Sequence, residues 1–139
     1  MRARGSALGL LTVSSSTAST VDALTFDCGD PKLLADFWCA ALDYEIADAD
    51  EIGVAIRDPS GKGWDVLFLI VPEGKSAKNR LHLDLTPPTT MAEEVARLSA
   101  LGATEQRLVE EEGSRWTVML DPEGNEFCVL RSKAERAQS

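Results

Sequence analysis

The sequence predicts an α+β fold in which one strand–helix–three-strand unit occurs twice. Alternating apolar residues, typical of a β-strand, open each unit, and apolar residues at helical spacing follow them. The two units align: Ala23 matches His82 59 residues later, and the turn at Asp58 matches the turn at Asp121 63 residues later. Two copies are too few for a solenoid, which needs at least about three. We therefore expect two pseudo-symmetric halves that share one curved sheet.

The first unit begins with a strand over residues 23–28, and Asp30 and Pro31 then mark the start of a helix. Asp is a good N-cap, and Pro fits the first helical position because it has no N–H to leave unpaired. The apolar face of this helix is predicted to comprise Leu33, Leu34, Phe37, Trp38, Ala41 and Leu42. Three short strands follow at residues 44–47, 52–57 and 64–71, with the Asp58 turn before the last.

The second unit repeats this order from residue 80. A strand over 80–86 ends at two prolines, and Thr90 with Glu93 then matches a capping box that opens a helix. Gly102 is suited to end that helix. Strands are predicted at 105–109, 115–120 and 126–131, with the Asp121 turn before the last.

The chain divides into a leader, a folded domain and a tail. Residues 1–21 carry Arg2, Arg4 and a seven-residue apolar run, which is too short and interrupted for a signal peptide, so we expect a disordered leader. The domain spans residues 22–131, with module one at 22–72 and module two at 79–131. Residues 132–139 are expected to form a flexible tail.

Charge and cysteine content exclude several classes of function. The 23 acidic residues against 14 basic ones give a net charge of −9, which repels phosphate backbones and anionic lipid, so we expect no nucleic-acid and no membrane partner. Three cysteines without a CxxC pair predict free thiols in a cytoplasmic protein. His82 is the only histidine, which excludes a site with several His ligands in one chain.

Three segments carry a resemblance to a known family: LTFDCGDPKLLADFWCAALDYE, KNRLHLDLTP, and LSALGA followed by WTVMLDPEGNEFCVL. Together they resemble the glyoxalase-like proteins of the vicinal-oxygen-chelate superfamily, which also contains bleomycin-resistance proteins and ring-cleaving dioxygenases. The resemblance implies two βαβββ modules that form an eight-stranded U-shaped mixed sheet with helices on the convex side. It further implies a concave cleft, which often holds one divalent metal in the family, and pairing into a homodimer.

Alternation along each strand assigns side chains to the helix side or to the cleft. Leu81, Leu83 and Leu85 are predicted on the helix side, and so is Trp64. Trp116 is left open between lining the cleft and packing in the core, and His82 between contacting a ligand and a half-buried structural role. The candidate ligand-binding residues are Asp27, Leu67, Leu69, His82, Asp84, Trp116 and Leu130.

The resemblance places the family's metal ligands at Ala23, Asp65, His82 and Cys128, or puts Leu69 in place of Asp65 if the end of the fourth strand is aligned instead. Alanine offers no donor atom, and cysteine stands where glutamate is usual, so we expect no cofactor and no resident metal. If a divalent metal does bind, the expected ligands are Asp65, His82 and Cys128, and the cysteine favours zinc.

The sequence therefore favours a small-molecule-binding protein with a metal-free cleft and a sequestering, resistance-like role. Carboxylates on the cleft face favour a cationic or amine-bearing ligand. The alternative is a metal-dependent enzyme of the lyase, isomerase or dioxygenase type. A third hypothesis is that the cleft is vestigial and the protein serves as an interaction module, because the fold by itself does not determine the function.

Overall fold

The computed structural model describes residues 17–138. Module one comprises β1 (Ala23–Cys28), α1 (Pro31–Leu42), β2 (Glu45–Ala49), β3 (Gly53–Arg57) and β4 (Asp65–Ile70). Module two comprises β5 (Asp84–Leu85), α2 (Met91–Leu101), β6 (Thr104–Glu111), β7 (Ser114–Leu120) and β8 (Glu126–Leu130), and a short helix α3 (Lys133–Ala137) follows. The order of elements and the repeat are those that the sequence predicts.

The predicted α+β fold of two βαβββ modules is confirmed. Among residues 17–138, hydrogen bonding divides the eight strands into two four-stranded sheets, ordered β1-β4-β3-β2 and β5-β8-β7-β6. In each sheet the first strand of the module runs parallel to the last, and the other pairs are antiparallel. Both β1 and β5 therefore lie at an edge of their own sheet, and a seam separates the two modules.

Strand β5 is much shorter than predicted. It spans two residues instead of seven, and its ladder to β8 pairs Asp84 with Cys128 and Leu85 with Val129. Leu83 and Leu85 pack against the core as expected, but the prediction for Leu81 is wrong, because its side chain is 72% exposed. Trp64, also expected on the helix side, precedes β4 and is 49% exposed. Neither residue belongs to a strand, so alternation does not direct its side chain.

Helix α1 provides the largest part of the core. Asp30 caps it, since its carboxylate accepts from the Leu33 N–H at 3.1 Å. The buried face of the helix packs against β3 and β4. It consists of Leu34, Ala35, Phe37, Trp38 and Ala41. The rings of Phe37 and Trp38 also contact Phe127 of module two, with centroids 6.1 and 5.1 Å away, so the core is continuous across the seam.

Hydrogen bonds connect both ends of α1 to module two. At its N-terminus the Glu123 carboxylate accepts from Gly29 N at 2.9 Å and from Asp30 N at 2.5 Å. At its C-terminus the Arg97 guanidinium donates to Ala40 O at 3.1 Å and to Ala41 O at 2.8 Å. These partners are more than 50 residues apart in the chain. The two modules therefore form one unit despite their separate sheets.

The segment after β8, expected to be a flexible tail, forms helix α3. Ser132 and Glu135 make a capping box, and Glu135 Oε1 also accepts from Met91 N at 2.9 Å at the start of α2. The hydrogen bonds from the backbone of Ser132 and Met91 lower the pKa of the Glu135 carboxyl. The Ser132-x-x-Glu135 spacing was a readable signal for this helix.

The expected leader falls mostly on residues 1–16, which lie outside the described residues. The part that is described, residues 17–22, is exposed and has no regular secondary structure. Within residues 17–138, no helix combines the length and the apolar character that crossing a membrane requires.

Candidate functional site

A cavity of about 270 Å³ lies in the seam between the modules, and we call it the seam cavity. Residues 24–27 of β1 form one side, and the irregular segment 79–83 before β5 forms the other. Trp38 of α1 and residues 125–127 at the start of β8 complete the lining. Because β1 and residues 79–83 do not pair with each other in a ladder, space is left between them.

Three aromatic rings give the seam cavity a rigid apolar wall. Phe26 lies 6.2 Å from Trp38, and Trp38 lies 5.1 Å from Phe127, with the second pair edge-on. The indole of Trp38 is fixed further by a buried hydrogen bond from Nε1 to Asp121 Oδ2 at 3.1 Å. A flat or apolar ligand would meet a preformed surface here.

Charged side chains of both signs line the same cavity. Within residues 17–138, the side chains of Asp27 and Arg80 have no hydrogen-bond or ion-pair partner, so both are available to a ligand. Glu126 is already engaged: it accepts from Asn79 N at 2.9 Å and pairs with Lys75 at 3.2 Å. Burial by itself would raise the pKa of Glu126, but these two contacts lower it, so the carboxylate is held ionised.

His82, Asp84 and Cys128 form a cluster at one border of the seam cavity, which His82 also lines. One donor atom from each lies within 4.8 Å of the other two, and His82 Nε2 is 3.4 Å from Asp84 Oδ1. The Cys128 thiol is buried and lies beside Asp84. Burial, and then the negative charge of Asp84, raise the pKa of this thiol, so it is protonated at neutral pH.

The residues predicted to share one cleft are divided between several places. Asp27 and His82 line the seam cavity. Leu67 and Leu69 instead line a separate depression of about 210 Å³ on the sheet of module one. Trp116 and Leu130 face each other across β7 and β8 and line neither of these two spaces. Alternation assigns each of these residues to a face of the sheet, but it does not indicate at which point along that face a cavity forms.

Several lining residues were not predicted. Trp38, on the predicted apolar face of the first helix, and Phe127 are both buried in the core, and both also line the seam cavity. Asn79 opens the predicted second module and Arg80 opens its first strand, and neither is among the candidate ligand-binding residues. The charge of Arg80, two residues before the only histidine of the sequence, was a signal for this position. Nothing in the local sequence distinguished Asn79 from an ordinary loop residue.

The donors expected for a metal shared between the modules do not come together. Asp65 stands opposite Ala23 in the β1–β4 ladder, whereas Cys128 stands opposite Asp84 in the β5–β8 ladder. Thr25 is the repeat equivalent of Asp84, and the residue opposite Thr25 is Leu67. Module one thus has a leucine at the position where module two has a cysteine. These residues do not fit the family's arrangement, in which both modules supply metal ligands.

Comparison with known proteins assigns the chain by sequence. A family model described as a glyoxalase-like domain matches residues 23–130, which is most of the chain. None of the curated proteins matches it.

Comparison with solved structures supports the same fold. A glyoxalase/bleomycin resistance protein/dioxygenase family enzyme from Burkholderia phytofirmans has a TM-score of 0.63 at 17% identity, covering 78% of this chain and 94% of that one. A fosfomycin resistance protein from Mesorhizobium loti has a TM-score of 0.61 at 14% identity, covering 87% and 99%. A lactoylglutathione lyase from Agrobacterium tumefaciens has a TM-score of 0.59 at 14% identity, covering 85% and 96%. At these identities the likeness establishes the fold alone.

Proposed function

The chain belongs to the glyoxalase-like domain family, and from that premise we propose that it binds a small amine-bearing molecule in the seam cavity without needing a metal. The observation that carries this proposal is the cavity itself, which combines an aromatic wall with charged side chains that have no partner in the described part of the chain. Its volume of about 270 Å³ lies just below the ~300–1,000 Å³ typical of sites for drug-sized ligands. The ligand is therefore small.

The charges at the seam cavity favour an amine over a carboxylate. Among residues 17–138, Asp27 is a carboxylate of the lining without a partner, and Glu126 adds a second carboxylate, which is paired with Lys75. Arg80 is a cation of the same lining and is exposed, as Asp27 is, but two carboxylates oppose it in a chain whose net charge is −9. The summed field attracts cations toward the cleft. A ligand with an aromatic or apolar part would pack against Trp38 and Phe127, and its ammonium group would pair with Asp27.

The biological role that suits such binding is sequestration, because it requires no reacting group. The structurally similar fosfomycin resistance protein is named for resistance, and the lyase for catalysis, so both roles occur on this fold. We place the protein in the cytoplasm, where its three free cysteines would stay reduced. Burial raises the pKa of the Cys28 thiol to about 11, which makes that thiol unreactive near neutral pH.

Calorimetric titration in the presence of a chelator tests the proposal. Phenethylamine and hydrocinnamate are the probes, since each carries a phenyl ring and they differ in the sign of their charge. We expect phenethylamine to bind more tightly, and Asp27→Asn to weaken it roughly 5- to 150-fold, because a charged hydrogen bond is lost. Asp36→Asn is the matched control: this exposed carboxylate on α1 pairs with Lys32 at 2.7 Å and lies outside the lining.

A preference for hydrocinnamate would assign the anchor to Arg80 and would contradict an amine ligand. Equal weakening by Asp27→Asn and Asp36→Asn would show a nonspecific charge effect. His82→Ala provides a second check, since His82 lines the cavity and its side chain is 41% exposed. It should weaken the probe while changing the free energy of unfolding by less than about 1 kcal/mol.

We also propose that the protein forms a homodimer. Each sheet ends in strands with one unpaired edge, and unpaired edges favour association. Ile52 and Ile70 are 59% and 50% exposed and adjoin each other through the Ile70 N to Ile52 O hydrogen bond of 2.9 Å. Sedimentation equilibrium should report twice the chain mass of 15.0 kDa. A particle of the chain mass at high micromolar concentration would show that these surfaces stay uncovered.

A further inference from the structure

Two charges of opposite sign line opposite sides of the seam cavity. Asp27 belongs to β1 of module one, and Arg80 belongs to the segment before β5 of module two. Among the residues that the structure describes, neither side chain has an ion-pair or hydrogen-bond partner, so the two do not pair with each other. The amine of the proposed function needs only Asp27, and it leaves the guanidinium of Arg80 unused.

The remaining carboxylate of the lining does not supply a partner for Arg80. Glu126 forms an ion pair with Lys75 at 3.2 Å and accepts from Asn79 N at 2.9 Å. Its negative charge is therefore offset on its own side of the cavity. What remains is one unpaired carboxylate and one unpaired guanidinium, which together complement a ligand that carries both an ammonium group and a carboxylate.

The charged part of the lining is exposed, whereas the aromatic part is buried. Asp27 and Arg80 are both exposed, but Trp38 and Phe127 are only 2% and 1% exposed. A ligand that fits this arrangement has both charged groups at one end and its apolar part at the other. A charged group at the apolar end would be placed against the rings, and burying an unpaired charge there is unfavourable.

From this arrangement we infer that the seam cavity selects α-amino acids that have an apolar or aromatic side chain. The inference rests on the proposed function, because the ammonium group is the amine that pairs with Asp27. The α-carboxylate pairs with Arg80, whose guanidinium can donate two parallel hydrogen bonds to it. The ligand side chain packs against Trp38 and Phe127. Such a zwitterion has no net charge at neutral pH, so the net charge of −9 of the chain does not repel it.

Calorimetric titration with L-phenylalanine, phenethylamine and para-aminomethylbenzoate tests the inference, again with a chelator present. Phenethylamine lacks the carboxylate, and para-aminomethylbenzoate carries it at the opposite end of the ring from the ammonium group. We expect phenylalanine to bind about tenfold more tightly than either of the others, because only phenylalanine adds a charged hydrogen bond to Arg80 without burying a charge.

Variants of the two charged residues assign the contacts. Arg80→Gln should abolish the preference for phenylalanine over phenethylamine, whereas Asp27→Asn should weaken the binding of both probes. Arg57→Gln is the matched control: this exposed arginine on β3 pairs with Glu45 at 2.8 Å and lies outside the lining, so the preference should remain. A purely structural effect of Arg80→Gln would weaken both probes equally and would leave the preference in place.

The outcomes separate this inference from the proposed function. If phenethylamine binds and phenylalanine binds no more tightly, the amine proposal stands and the amino-acid inference is wrong. If neither binds, both are wrong. A preference that persists in Arg80→Gln, or para-aminomethylbenzoate that binds as tightly as phenylalanine, would also overturn the inference. If Arg80→Gln fails to fold, phenylalaninamide decides the question on wild type: its neutral amide replaces the carboxylate, so it should lose the preference.

Discussion

Replacing Asp121 with alanine is expected to lower the free energy of unfolding by about 3 kcal/mol. Asp121 is 3% exposed, and its carboxylate accepts from four donor groups: Glu123 N, Asn125 N, Asn125 Nδ2 and the Trp38 indole. Three of these shape the turn before β8, and the fourth joins the modules. Without Asp121 the buried indole N–H has no partner, which adds a desolvation penalty to the lost bonds. Urea unfolding followed by circular dichroism measures the effect.

The repeat supplies a matched control at Asp58, which opens the equivalent turn of module one. Its carboxylate accepts from Ser60 N at 2.8 Å and from Gly63 N at 2.8 Å, and all its partners belong to its own turn. We expect Asp58→Ala to be clearly milder, because water can replace the carboxylate there. Trp38→Phe, which removes only the N–H group, should reproduce part of the Asp121→Ala loss. Equal effects of the two aspartate variants would mean that the contact to Trp38 contributes nothing.

Phe127→Ala is expected to destabilise the protein by about 3–5 kcal/mol. The ring is 1% exposed and packs edge-on against Trp38 and tilted against Phe37, so its removal leaves a void where the cores of the two modules meet. It also lines the seam cavity, which should widen. The free energy of unfolding from urea titration, with phenethylamine affinity measured below the transition, reports both consequences.

Trp64 is the matched control for Phe127. It follows Asp58 by six residues, as Phe127 follows Asp121, and it is a larger aromatic side chain. Because Trp64 is 49% exposed, Trp64→Ala should change the free energy of unfolding by less than about 1 kcal/mol. A loss as large as that of Phe127→Ala would show that Trp64 is covered in solution, for instance by a second subunit.

Much of the fold could be read from local patterns. Strand β1 and the N-terminal caps of both main helices lie where alternation, Asp30 and Thr90 predict them, because caps and apolar periodicity depend on neighbours only a few residues away. The same reasoning failed at Leu81. Its segment alternates well, but a strand also needs a partner to accept its hydrogen bonds, and the ladder with β8 begins only at Asp84.

The candidate site was harder to predict, because it depends on how strands pair. Alternation predicted His82 and Asp84 on one face, and the two side chains do lie close together, with 3.4 Å between Nε2 and Oδ1, although residue 82 precedes β5. Whether Asp65 or Asp84 joins Cys128 depends on the register of two separate ladders. Aligning the two turns suggested Asp65, whereas the ladders set Leu67 where module two has Cys128. If the pairing register between two strands shifts by two residues, every side chain stays on the same face of the sheet. The hydrophobic pattern of the sequence therefore does not distinguish the two registers.

The sequence by itself determined the two βαβββ modules, the caps of their helices, the face on which each strand residue lies and the acidic charge of the chain. Each of these follows from residues close together in the chain or from composition. Only the tertiary structure decided that a seam separates two sheets, that Trp38 and Phe127 wall a cavity there, and that Asp121 of one module holds the indole of the other. The contacts that join the modules pair residues 83 and 94 positions apart in the chain, as Trp38 with Asp121 and Gly29 with Glu123, and contacts between such distant residues leave no local pattern in the sequence.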